Sequence, residues 1–376
     1  MTTRVDPSVP TRFAADPAWG ERAARPLRWA AGPGAQPTDD ELEALRAGLL
    51  RRDEPAAALI RAVTPQALHR ALAAGPFADD LPGKVREFYD LALNRPAWVD
   101  DRLLDRGAQA CRAFGKDATL VLTYGSLLGG YRTAAALEPL VRTGRLAGGE
   151  TRRRLQETTL WWRAVTAPGG LAPGGEGLRS TLHVRVMHAL VNARLEAAPD
   201  WDMSHRGVPI NQYDQASTLG VFSTSFLLHL RLLGVRVSGA DSRAVMHLWS
   251  YVGWLMGVDE EWLPFTERRG RRLLYHFLAN DPPPDDNSVA LARALTGRTG
   301  DHRLRFWERE RALSLGAWLL GPAAMRDLGL PYRLPWYALS RVAANIVVSQ
   351  GIGRLPGGRR FLLARSDRQA RSQLDE

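Results

Sequence analysis

From Thr38 to Val348 the apolar residues recur at steps of three and four and almost never alternate at steps of two. Residues three and four apart share one face of a helix, whereas a strand needs the two-residue step. Val235-Arg236-Val237 is the one weak hint of alternation. The chain is therefore expected to be all-α, a multi-helix globular domain. Thr38-Asp39-Asp40-Glu41 marks a helix start, with Thr38 as cap and Glu41 reaching back. Helices are predicted over about 38–51, 55–62, 65–74, 83–93, 100–113, 118–128 and 137–141. Further ones are predicted over about 150–167, 178–197, 212–233, 241–256, 264–279, 303–320 and 335–348. Pro168-Gly169-Gly170-Leu171-Ala172-Pro173-Gly174-Gly175 and Asp281-Pro282-Pro283-Pro284-Asp285-Asp286 are breaks. Residues 1–36, rich in Pro, Gly, Ala and Arg without clear periodicity, are expected to be a loosely ordered arm. A single domain over 37–350 and a basic tail over 351–376 complete the division.

Composition removes several function classes. Cys111 is the single cysteine, so an intramolecular disulfide and any cysteine-based zinc or iron–sulfur cage are excluded. No run of eighteen apolar residues exists, so no membrane-spanning helix is expected. The first twenty residues have neither an apolar core nor a twin-arginine pair, which reads as a cytoplasmic protein. The net charge is +10, and Lys84 and Lys116 are the only lysines among 50 basic residues. Acids are interspersed almost everywhere, and Arg268-Arg269-Gly270-Arg271-Arg272 and the tail from Arg354 are short. Solvated surface, rather than a nucleic-acid partner, is the expectation; a peripheral contact with anionic lipid stays open. The oligomeric state is not fixed by the sequence.

One predicted helix carries chemistry: Thr181-Leu-His-Val-Arg-Val-Met-His188-Ala-Leu-Val-Asn-Ala-Arg194. A neutral imidazole on an apolar face suits the proximal ligand of a haem iron, and it also suits a satisfied core histidine. His183 lies five residues from His188, so the two do not form an i, i+4 metal pair. His229, also on an apolar helix, is the competing ligand. Upstream, Arg154, Glu157, Thr158, Trp161 and Val165 fall at steps of three and four on one helix face. A cation and a hydroxyl side by side could serve the far side of a haem if the two helices face each other; an ordinary amphipathic edge reads almost the same. Glu138, before Pro139, is either an acid in an apolar setting suited to base chemistry or a helix-start carboxylate ahead of an N1 proline. Twelve tryptophans suit a large flat apolar ligand.

Taken in order, these pieces form a resemblance. Glu138, then Arg154-x-x-Glu157-Thr158, then Met187-His188-Ala189 are similar to the latex-clearing rubber oxygenases. The wider family also holds the oxygenase of mycophenolic acid biosynthesis. Thr143-Gly144-Arg145, Pro209-Ile210-Asn211-Gln212 with Thr218 and Phe222, and Trp249 to Val258 with Leu263-Pro264 resemble it too. The resemblance covers about residues 80–275. It implies a globin-like helical core with extra helices around one non-covalent haem b. It would make His188 the proximal iron ligand, put Arg154 and Thr158 near the haem, and make Glu138 the distal acid or base. Arg185 matches a family arginine and would pair with a haem propionate.

Two departures matter. Rubber oxygenases carry an iron-capping lysine where Glu157 stands; Glu157 is expected to pair with Arg154 and leave the iron open to small ligands. They are also secreted, whereas this chain shows no export signal, so a smaller intracellular isoprenoid or lipid olefin fits better than polyisoprene. The resemblance implies a haem b oxygenase that uses O2 to oxidise or cleave a C=C bond. The alternatives are a haem oxidase, dehydrogenase or peroxidase on a small metabolite, a non-catalytic haem or gas sensor, and an all-α interaction protein without cofactor.

Overall fold

A computed structural model describes residues 9–142, 150–297 and 306–372. Among these residues every regular element is helical. Val235 to Val237 form no strand; the Val235 amide donates to the Leu230 carbonyl and the Arg236 amide to the Ser349 hydroxyl. Most predicted helices are found. The capping box is as expected: the Thr38 hydroxyl accepts from the Glu41 amide, and the Glu41 carboxylate accepts from the Thr38 amide.

The central helix is Gly239–Leu255, buried along nearly its whole length. Helix Asp101–Ala113 crosses it closely because Gly107 has no side chain. A Cβ there would lie 2.4 Å from the Ala244 carbonyl oxygen, so the two backbones touch. Trp249, Tyr251, Tyr213, Phe226 and Phe277 are the largest fully buried side chains around this helix. Rings of that size supply much of the hydrophobic stabilisation, about 1.5–3 kcal/mol for each buried large apolar side chain.

The sequence reading fails at three places for identifiable reasons. Residues 1–36 are not simply a loose arm: Pro17–Ala31 form a helix, capped by Asp16, whose carboxylate accepts from the Trp19 amide. Gly20 and Pro26 hide its periodicity, yet Gly20 is what lets it lie on helix Glu267–Asn280, where a Cβ would come within 2.1 Å of the Ala279 carbonyl oxygen. The basic tail is helical over Gly358–Ser372. Helix Asp286–Leu295 begins directly after the proline run, capped by Asp285. Three predicted helices also contain π-helical turns, at Leu122–Leu127, Val221–Ser225 and Ile346–Gly351. Such turns insert an extra residue, shift the facing side chains and recur at functional sites. The first two lie against each other, with the Ser126 and Ser225 hydroxyls 3.4 Å apart. The predicted motif Thr143-Gly144-Arg145 lies outside the described residues.

Candidate haem-type site around His188

The loop 166–175 decides where the histidine goes. It joins helix Glu150–Val165 to helix Glu176–Glu196. Gly169 and Gly174 sit at φ of 65° and 80°, which L side chains rarely adopt. Gly177 then packs directly against the preceding helix, where a Cβ would lie 2.7 Å from Val165 Cα. The two helices therefore face each other, and Trp161 Nε1 donates to the Thr181 hydroxyl at 3.0 Å.

The histidine helix does not present a purely apolar face. Thr181, Arg185, His188 and Asn192 follow at i, i+4, i+7 and i+11 and form an inward polar stripe. Leu178, Leu182, Val186 and Ala189 occupy the neighbouring buried stripe. Thr181 accepts from Trp161 and donates to the Gly177 carbonyl at 2.6 Å. Arg185 is held in two-pronged fashion by Asp53, at 2.6 and 2.8 Å, and lies over the Phe88 ring. Asn192 donates to the Pro209 carbonyl.

Two atoms of this stripe are buried without a hydrogen-bond partner among the described residues, His188 Nδ1 and Asn192 Oδ1, and His188 Nδ1 is the one able to ligate a metal. Burial pushes its pKa down to about 4, against an opposing pull from Asp53 and with a smaller push from Arg154. The imidazole is therefore neutral at pH 7 and able to ligate a metal. The residue as a whole is half-buried. Among the described residues no three His, Cys, Asp or Glu gather into a metal cage.

The other expected residues divide. Arg154 and Thr158 are both half-buried on the facing helix, and the charge of Arg154 is felt at His188 and at the Tyr131 hydroxyl. Glu157 does not pair with Arg154. It is exposed and accepts from Arg153 Nε at 3.0 Å, because position 157 falls at the outer edge of that helix face. Glu138 is buried, yet its setting is ionic rather than apolar. Arg142 Nε and Arg206 Nη2 lie 2.7 and 3.3 Å from its Oε1. Pro139 lies inside helix Ala134–Arg142 and not at its first position. Arg185 is already committed to Asp53 and to the Leu255 carbonyl at 3.3 Å, so a propionate contact would have to displace one of them. Gly257, at φ 85°, makes room for that ion pair: a Cβ there would lie 2.3 Å from Asp53 Oδ2. Gln212 fixes this turn by donating to the Gly257 carbonyl at 2.8 Å and accepting from the Asp259 amide at 2.9 Å.

Two groups near the site, Asp53 and Tyr131, were not singled out from the sequence, and the rings of Trp161, Phe222 and Trp249 were named there but not as one cluster. Asp53 caps helix Glu54–Ala62 and faces Arg185 from a distant part of the chain. Tyr131 is buried, and desolvation pushes its phenol up to about 12, so it stays a neutral proton donor. Trp161, Phe222 and Trp249 pack at ring distances of 5.4–5.8 Å, beside the Trp161–Thr181 hydrogen bond. Only Asp53, as an N-cap before Glu54-Pro55, left a local signal. A separate cleft of about 500 Å³, lined by Arg106, Asp117, Arg236, Arg341 and Arg365 among others, contains none of the predicted site residues.

The catalytic-domain model of the family described as ER-bound oxygenase mpaB/B′/Rubber oxygenase matches residues 112–349. The rubber oxygenase of Streptomyces sp. (strain K30) is 28% identical over 277 residues, which is 71% of this chain. The match spans 65% of that relative, just under two thirds of its length. Latex clearing protein in its closed state shares the fold, with a TM-score of 0.60 at 22% identity over 95% of each chain. With more than half of the chain matched by the family model, including His188 and the helix facing it, the chain belongs to the mpaB and rubber oxygenase catalytic-domain family.

Proposed function

We propose that this chain is a haem b-dependent oxygenase that uses O2 to oxidise or cleave a C=C bond in an apolar, isoprenoid- or lipid-like olefin. One observation carries the reading. In a member of an oxygenase family, the inward polar stripe of one helix leaves a single neutral imidazole, His188, with an orphaned buried nitrogen. Buried polar atoms are nearly always partnered, and an exception calls for an explanation. The residues present fit a haem in a globin-like helical core: one axial imidazole, a cation from Arg154 on the facing helix, and large rings close by.

Bound at His188, haem would supply the iron on which O2 is activated; that chemistry is the cofactor's own. The chain's residues do the rest. Arg154 and Thr158 offer a charge and a hydroxyl beside the haem. Glu138, held through Oε1 by Arg142 and Arg206, is the proton acceptor of this reading. Trp161 and Phe222, backed by the fully buried Trp249, would offer an apolar wall for the substrate chain.

The test is the absorption spectrum of the purified protein, followed by product analysis with short isoprenoid olefins under O2. A Soret band and carbonyl products of C=C scission are expected. A colourless protein that stays colourless after haem addition overturns the reading. A haem protein that forms a stable O2 complex without turnover identifies a gas sensor instead.

A further inference from the structure

Helix Trp336–Asn345 and the π-helical turn Ile346–Gly351 carry an apolar outward side. The inward side mixes the core residue Ala338 and Val342, packed on Gly234, with polar groups. Arg341 is paired with Asp117 at 2.7 Å, Asn345 donates to the Leu233 carbonyl at 2.9 Å, and the Ser349 hydroxyl accepts from the Arg236 amide. The outward side is Trp336, Leu339, Ser340, Ala343, Ala344, Ile346 and Val347, all solvent-exposed and none charged. A surface helix normally shows the reverse pattern.

The stripe is not isolated. Trp307, itself 63% exposed, touches Trp336 at a ring distance of 6.4 Å and Phe306 at 5.3 Å. Leu334 is 76% exposed and Val347 65%. At the far end the stripe runs into exposed Leu355 and Phe361. There the chain turns basic: residues 351–372 hold six arginines and one acid, Asp367. The basic helix packs next to the stripe, since a Cβ on Gly353 would lie 3.2 Å from Leu362 Cδ1. The side chains of Arg354, Arg360 and Arg368 face solvent.

We propose that this face docks the protein on an anionic lipid surface, with the Trp336–Val347 stripe and Trp307 entering the interface and Arg354, Arg360 and Arg368 meeting lipid phosphates. Tryptophan and leucine beside a polybasic segment are the two signals that together hold a protein at a bilayer surface without spanning it. The charge of the neighbouring helix selects an anionic membrane over a neutral one and over a second copy of this equally basic chain.

Co-sedimentation of the full chain with vesicles tests this, using phosphatidylcholine alone and phosphatidylcholine mixed with phosphatidylglycerol. Binding is expected to the mixed vesicles only, and to weaken with salt. Trp336→Ser with Leu339→Ser should lower partitioning by about tenfold or more. Arg360→Gln with Arg368→Gln should lower it about fivefold for each charge removed. All four positions are exposed, and unchanged circular dichroism melting checks that the variants fold. Equal binding to both vesicle types, no binding to either, or variants that bind like wild type overturn the proposal. So does a dimer in light scattering that Leu339→Ser disperses while vesicles are ignored; the stripe is then an interface between two copies.

Discussion

Two histidines on internal helices behave differently, and the contrast separates a packed histidine from the proposed ligand. His188 and His229 are both pushed down to about 4 by burial. His229 Nδ1 lies 3.1 Å from the Ser225 hydroxyl, and its ring lies on Gly125 so tightly that a Cβ there would come within 2.7 Å of Cγ. The Leu319 carbonyl also favours its proton. His188, three residues after the Arg185–Asp53 pair, has no partner at Nδ1. Burial alone therefore does not mark a ligand. The unmet nitrogen distinguishes His188 from His229 and supports the proposed ligation, because leaving a buried polar group unpaired costs about 1–3 kcal/mol.

The largest effect expected from this contrast is on haem. His188→Ala should abolish stable binding, whereas His229→Ala should keep the Soret band; the reverse pattern would move the ligand to His229. Next comes the acid. Glu138→Gln should retain haem and lose about 10²–10⁴-fold in turnover, the usual weight of general acid–base catalysis. Wild-type turnover by that variant removes Glu138 from the chemistry.

Stability comes third. Asp53→Ala leaves Arg185 as an uncompensated buried charge and should cost about 3–5 kcal/mol in urea unfolding. A loss below about 1 kcal/mol would mean that the pair is solvated and does not brace the histidine helix.

Acid sensitivity is smaller. A histidine whose folded pKa lies near 4, below its ordinary 6.5, contributes stability that is present above 6.5 and is lost as pH falls toward 4. His229 should account for about 3 kcal/mol over that window. Asp281, buried and raised to about 7, acts with the opposite sign over much of the same range, so the test is the difference between wild type and His229→Gln. An identical slope in both would show that His229 is not the group responsible. The smallest effect belongs to Glu157→Lys. Position 157 points to solvent beside Arg153, so the resting haem spectrum should not change. A switch to a low-spin state would show that this helix can turn inward.

The same contrast explains what the sequence could reveal. The fold class was legible because helical spacing is repetitive and caps such as Thr38 and Glu41 are local. The Pro17–Ala31 helix was not, because its glycine is explained only by the Ala279 backbone it touches. At the site, the facing of the Arg154 and His188 helices was conditional on spacing and follows from glycines at 169, 174 and 177. The ionic setting of Glu138 was illegible, because Arg206 comes from another part of the chain. Likewise Asp53 and Arg185 are far apart in sequence and meet only in the fold. Glu157 was assigned to the wrong arginine because residues three and four apart are equally near on a helix, and only the orientation of the face decides.

Cavity rescue tests the central claim most directly. His188→Gly, purified with and without added imidazole, is compared with wild type by absorption and by resonance Raman of the reduced protein. The account predicts loss of the Soret band in His188→Gly, its return with imidazole, and an iron–histidine stretch in wild type that the rescued protein alters. An unchanged Soret band and iron–histidine stretch in His188→Gly without imidazole would contradict it.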